Sequence, residues 1–134
     1  MNEHATPTDA DGIRAFFARF DGAFATFDGE TIGARYAAPY LACRIDGTAE
    51  SFPDAESIAD YFQAVVDEYH SSGVRSCTHE SLTIRRLAGP HVLATVTWHL
   101  WDSDEVEVVA WRESYVLTDD GRDLLIRSSV DHPP

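Results

Sequence analysis

The chain has no lysine at all. That absence excludes lysine Schiff-base chemistry and a phosphate-binding loop that depends on a lysine. Its ten basic residues are all arginine, set against 23 carboxylates, for a formal net charge of -13 and a pI of about 4.6. Nucleic-acid binding requires a basic face that displaces phosphate counterions, so neither nucleic acid nor an anionic membrane is an expected partner. Cysteine is scarce: Cys43 and Cys77 stand alone, without CxxC or Cys/His zinc spacing. They read as two reduced thiols used as small buried hydrophobes, and neither a metal nor a cofactor is expected. No apolar run approaches the roughly eighteen residues of a membrane span. The first residues lack the basic and apolar regions of a secretory signal. A cytoplasmic location is the default expectation. GxSxG, GxGxxG and HExxH are all missing, which leaves serine-hydrolase, dinucleotide and zincin readings without support.

What is present is core-forming material. The chain is 44% hydrophobic, with three Trp, five Tyr and seven Phe in 134 residues. This is enough for one domain spanning 1–134, able to bury a core without disulfides or metal. Residues 1–8 read as a disordered lead-in, with Thr8 or Asp9 placed to cap the first helix. Ile13, Phe16, Phe17, Phe20, Phe24 and Phe27 recur at three- and four-residue spacing and predict an amphipathic helix of about twenty residues. Asp28-Gly29 breaks that pattern. A short second helix is expected from about Glu30 to Tyr36, ended by Pro39. Tyr40 to Ile45 and Thr48 to Phe52 then form a hairpin around Asp46-Gly47. Pro53-Asp54 opens a third helix carrying Ile58, Tyr61, Phe62, Val65, Val66 and Tyr69 on one stripe, and Ser71-Ser72-Gly73 stops it. Four strand-like segments follow, near 74–87, 90–102, 105–118 and 123–131, joined in meander order by turn-forming residues.

Alternation sorts these strands into faces. In one, Val92, Ala94, Val96, Trp98 and Leu100 share a face opposite Leu93, Thr95, Thr97, His99 and Trp101. In the next, Val109, Trp111, Glu113, Tyr115 and Leu117 oppose Val108, Ala110, Arg112, Ser114 and Val116. Neither strand has a plainly solvent face. Helices can cover one side; the other is expected to pair with a second copy of the chain.

The stretch Phe24-Ala25-Thr26-Phe27-Asp28-Gly29-Glu30, followed by Ala34-Arg35-Tyr36-Ala37-Ala38-Pro39-Tyr40, resembles the nuclear transport factor 2-like superfamily, which includes the SnoaL-like proteins. Asp54 to Phe62 is similar to that family's third-helix entry, and Trp111 to Leu117, running to Gly121, to its penultimate strand and turn. The resemblance covers roughly 10–132. It implies an α+β fold in which three helices pack on the concave face of a curved, cone-shaped antiparallel (mixed) sheet around a hollow for a small molecule. The family holds isomerases, dehydratases, polyketide cyclases and many proteins with no assigned chemistry, so fold alone does not decide activity.

Carried onto this sequence, the isomerases' carboxylate base falls near Arg44, and an arginine cannot accept a proton. Arg44 instead has two readings, an anion contact or a pair with Asp46 or Glu50. Glu113 falls where the isomerases keep a protonated acid, and burial between Trp111 and Tyr115 would raise its pKa. Asp28 and His79 fall near a dehydratase-like dyad, with His99 as a second candidate base. Asp28 has the equally simple reading of a helix cap. Tyr36, Tyr40, Tyr61 and Trp101 are expected to line the hollow, with Arg44, Thr97, Trp111 and Tyr115 as further ligand contacts. Three functions follow. The first is a dimeric binding domain for a small molecule of unspecified identity. The second is a cofactor-independent lyase or isomerase using His79 or His99 with Asp28, and Glu113 or Tyr115 as donor. The third is a structural pairing domain.

Overall fold

A computed structural model describes residues 8–134. The expected lead-in lies outside these except for Thr8, which is buried and takes a hydrogen bond from Arg86 on its carbonyl. Asp9 caps the first helix, α1 (Ala10–Phe24), by accepting from the Gly12 amide at 2.7 Å. The helix is shorter than its apolar stripe suggests. Phe24 and Phe27 lie on either side of its end and pack instead against Tyr69 and His70. Asp28 caps α2 (Gly29–Gly33). Strand β1 (Tyr36–Cys43) turns back as β2 (Ala49–Phe52). A capping box of Asp54 and Ser57 starts α3 (Ala55–Ser71), and β3 (Ser76–Arg86), β4 (His91–Trp101), β5 (Glu107–Asp119) and β6 (Leu124–His132) complete the chain. Among the described residues no helix is long and apolar enough to cross a membrane.

The four segments near 74–87 through 123–131 are β3 to β6 and form the expected meander. The hairpin before them joins the same sheet, giving the order β2-β1-β6-β5-β4-β3. Strand β1 runs parallel to β6, and every other pairing is antiparallel. One expectation is corrected here: Pro39 does not end α2. It lies inside β1, which starts at Tyr36 rather than Tyr40. A proline has no amide to give a ladder, and the β1–β6 register shifts between Tyr36 and Leu41, around it.

The six-stranded sheet is curved and unclosed. Register shifts fall between Glu80 and Thr83, between Leu100 and Trp101, and between Val116 and Leu117. Each inserts an irregularity that bends a strand and increases its twist. On the concave side Val92, Ala94, Val96, Trp98 and Leu100 are all at most 3% exposed, packed under Phe16, Phe17 and Phe20 of α1. Burying side chains of this size contributes about 1.5–3 kcal/mol each. Gly29 permits the close approach of α2 to α3, because a Cβ there would lie 2.3 Å from the Ala59 carbonyl oxygen.

Candidate functional site

Between α1, α3 and the concave face of β1, β6, β5 and β4 the packing leaves a cavity of about 80 Å³. Strand alternation points Trp111, Glu113 and Tyr115 of β5 into this hollow. The β5–β6 register sets Asp131 directly across from Glu113. The two side chains hydrogen-bond to each other. Glu113, 8% exposed, also accepts from Trp111 Nε1 at 2.9 Å and from the Tyr115 phenol. Trp98 Nε1 in turn donates to the Tyr115 oxygen at 2.8 Å, so a relay of donors runs from β4 to the carboxyl pair.

Burial, and then the neighbouring Asp131 charge, push the Glu113 carboxyl up to about 8, and burial also raises Asp131. Two carboxyl groups in contact cannot both ionise cheaply, so the pair titrates as a unit that holds one proton near neutral pH. Tyr40 and Ser129 hydroxyls lie 2.6 Å apart on the same wall. The Tyr36 phenol, on a residue 8% exposed, has no hydrogen-bond partner among the described residues. Burial raises the Tyr36, Tyr40 and Tyr115 phenols, which therefore stay protonated. Cys77, also on the wall, has its thiol pushed up to about 12 by burial, which removes it as a nucleophile.

Of the residues expected at the site, Tyr36, Tyr40, Tyr61, Trp111, Glu113 and Tyr115 all line this cavity. The others lie elsewhere. Thr97, His99 and Trp101 project from the opposite, convex face of β4, because the face carrying Trp98 is the one the helices cover. There Thr97 accepts from Arg112 at 2.7 Å and Trp101 Nε1 donates to Thr78 at 2.9 Å. His99 lies between Glu107 and Glu80, which both raise its pKa. Arg44 pairs with Glu50 at 2.7 Å and lies over the Tyr61 ring outside the cavity wall. Asp28 spends its carboxylate on the amide and hydroxyl of Thr31 at the start of α2.

His79 does have a carboxylate partner, but it is Asp21 of α1, at 2.8 Å from Nδ1. The imidazole packs against Phe17 and Trp98, behind the cavity, and opens onto a groove between α1 and β3. Burial raises the Asp21 carboxyl more than its hydrogen bond to His79 lowers it. Asp21 and Asp131 are the two carboxylates that sequence reasoning overlooked. Both face their partners only through tertiary register. The visible signal for Asp131 was its place on the face of β6 shared with Ser129. Among the described residues no three His, Cys, Asp or Glu side chains converge to hold a metal.

A family model described as "NTF2-like protein (DUF6841)" matches residues 9–134. The chain belongs to this NTF2-like family. The family's cystatin-like fold recurs in a domain of unknown function from Nostoc punctiforme, 20% identical over 97% of this chain and 80% of that one, with a TM-score of 0.75. Aln2 from a Streptomyces species is 16% identical over 98% of this chain and 94% of that one, with a TM-score of 0.76. The beta subunit of benzoate 1,2-dioxygenase from Burkholderia mallei is 15% identical over 97% and 93%, with a TM-score of 0.69. At these identities the likeness is one of fold. No curated protein matches the NTF2-like chain in sequence.

Proposed function

We propose that this NTF2-like domain binds a small molecule in its aromatic cavity and works as a homodimer paired through the convex sheet face. The observation that carries the binding reading is the Glu113–Asp131 pair. A buried Glu113 sharing a proton with half-buried Asp131 costs stability, and the pair borders a void. The cavity volume, about 80 Å³, is well below the roughly 300 Å³ of a pocket for a drug-sized ligand, so the occupant is a small one. Dimer formation is supported by the convex face, which leaves Leu41, Val108 and Val130 at 40–46% exposure. Scattered apolar residues are normal, but these lie on one face beside half-buried Trp101 and Val116. The dioxygenase neighbour is itself a subunit.

A fragment screen read on the indole N–H signals of Trp98 and Trp111 tests the binding reading. Both indoles report on the carboxyl pair through their hydrogen bonds. Hits are expected to move both signals in the wild type and neither in Ala42→Leu, which fills the wall. The same hits bound equally well by the filled variant, or no hits at all, would overturn it. Native mass spectrometry showing monomer alone would end the dimer reading.

A second reading, a cofactor-independent lyase or isomerase, has one observation in its favour: Glu113 keeps a proton near neutral pH and can donate it within an enclosed site. In this reading proton removal falls to the Asp131 carboxylate of the pair, because His79, paired with Asp21, lies behind Trp98 and out of reach of the cavity. It requires that a carbonyl compound bound in the cavity exchange its α-hydrogens with deuterated water, and that Glu113→Gln stop the exchange.

A further inference from the structure

We propose that the occupant of the cavity is a small alkylammonium ion, seated on the Glu113–Asp131 pair with Tyr and Trp rings as its walls. This rests on the reading that the cavity binds a small molecule, and names the charge and class of that molecule.

Charge comes first. The cavity wall contains two carboxyl groups and no Arg or His side chain. Once the pair has given up one of its two protons, one negative charge remains in a low-dielectric hollow. Leaving it uncompensated costs several kcal/mol. Arg44, held by Glu50 outside the wall, lowers Asp131 from there by less than burial raises it. His132, at the end of β6, acts on Asp131 from outside the wall. The remaining titratable groups on the described wall are the Cys77 thiol of β3 and phenols: Tyr36 and Tyr40 from β1, Tyr61 and Tyr69 from α3, and Tyr115 from β5. Helix α1 contributes only Phe20 and Phe24. None of these carries a positive charge, and Arg44 and His132 act on Asp131 only from outside the wall, so a cationic guest is what would meet the pair from inside the cavity.

The walls agree with that assignment. Trp111 lies over Tyr69 with ring centroids 6.3 Å apart, and Tyr36 packs edge-on to Tyr40 at 4.7 Å. Ring faces attract a cation within about 6 Å of the centroid, most strongly where water is excluded. An alkylammonium N–H finds acceptors in the carboxyl pair and in the Tyr36 phenol oxygen, which no protein group uses. A neutral carbonyl guest would engage the shared proton but leave the charge uncompensated. An anionic guest would add a third negative group. The volume admits only a handful of heavy atoms beyond the ammonium.

The test uses three probes of nearly one shape: tert-butylammonium, tert-butanol and pivalate. Binding is measured by calorimetry and located by the Trp98 and Trp111 indole signals. An alkylammonium keeps its charge to about pH 10, so at about pH 9 the probe is charged and the pair has lost its shared proton. The ammonium is expected to bind at least about tenfold more tightly than tert-butanol there, with pivalate failing to bind. Between about pH 9 and about pH 6 its affinity should fall about tenfold, because a proton then competes for the pair, and binding near pH 7 should release protons. Glu113→Gln should weaken the ammonium about tenfold and leave tert-butanol unchanged; Asp131→Asn, in case the first variant misfolds, should do the same.

If tert-butanol or pivalate binds as tightly as the ammonium, or the ammonium affinity ignores both substitutions, the cation assignment fails while the binding cavity stands. If none of the three moves either indole, both fail.

Discussion

Strands β4 and β5 carry ionisable groups on both faces, and the two faces treat them in opposite ways. On the convex side His99 is set between Glu80 and Glu107, and Arg112 is tied to Thr97, so each group meets a complement in or near solvent. On the concave side Glu113 meets Asp131, a second acid, and among the described residues the cavity wall holds no cation, Arg44 and His132 acting on Asp131 only from outside it. The convex arrangement is what a stable surface needs and says little about function. The concave one breaks a rule that folded proteins rarely break without a use for it, since buried charges are ordinarily paired with an opposite. It is the face that breaks the rule that encloses the cavity.

The comparison can be broken by removing what holds the concave face together. Phe17 contacts Phe20, His79, Trp98 and Tyr115 and is fully buried. Phe17→Ala should cost about 3–5 kcal/mol in urea unfolding, the usual loss for a large aromatic in a core, whereas truncating exposed Val106, in the turn between β4 and β5, should change stability by less than about 0.5 kcal/mol.

A smaller effect, opposite in sign, sharpens the comparison. Glu113 is raised from 4.5 to about 8 by folding. The native state therefore holds a proton that the unfolded chain has lost across that window, and stability falls as pH rises through it. Glu113→Gln keeps an acceptor for Trp111 and mimics the protonated acid. At pH 8 it should stabilise the protein by about 1–3 kcal/mol, and at pH 4 it should do little. Thermal melts of the two proteins at both pH values read the difference directly. A wild type more stable than the variant at pH 8 would refute the buried charge.

These expectations could be framed because much of the concave face is legible in the chain. The alternation in β5 groups Trp111, Glu113 and Tyr115, and the apolar stripes of α1 and α3 say which surfaces pack. What alternation cannot do is choose the face. Thr97, His99 and Trp101 are as apolar a set as many inner faces, and only the position of α1 over Trp98 decides against them. Partners across strands are no more readable: Asp131 meets Glu113 through the register of β5 on β6, and Asp21 meets His79 across 58 residues of chain. Asp28 drew notice by its sequence position and turned out to cap α2, a local role needing only the Thr31 amide. Pro39 misled for a related reason: it stops a helix as readily as it interrupts a strand ladder, and nothing local tells these apart.

The two remaining predictions are smaller still. Asp21→Asn leaves His79 a neutral partner in a half-open groove, and should cost about 1 kcal/mol in urea unfolding. On the convex face Glu107→Gln should lower the raised His99 pKa, since Glu107 is the largest cause of the rise. The stability His99 contributes is present below about 6.5 and is lost as pH rises through its folded value, so the variant should flatten that part of the melt profile by no more than about 1 kcal/mol. Loss of ligand binding in the Glu107 variant would show that the two faces are coupled.

The measurement that bears most directly on this account is a carbon-detected NMR titration of the Glu113 and Asp131 carboxyls in the free protein. The pair should lose its first proton well into the acid range and its second near pH 8, with the upper step lowered, but still raised by burial, in Asp131→Asn. Two carboxyls that both titrate independently near the ordinary values of about 4 would contradict it, and with it the reading of the cavity as a site built around a shared proton.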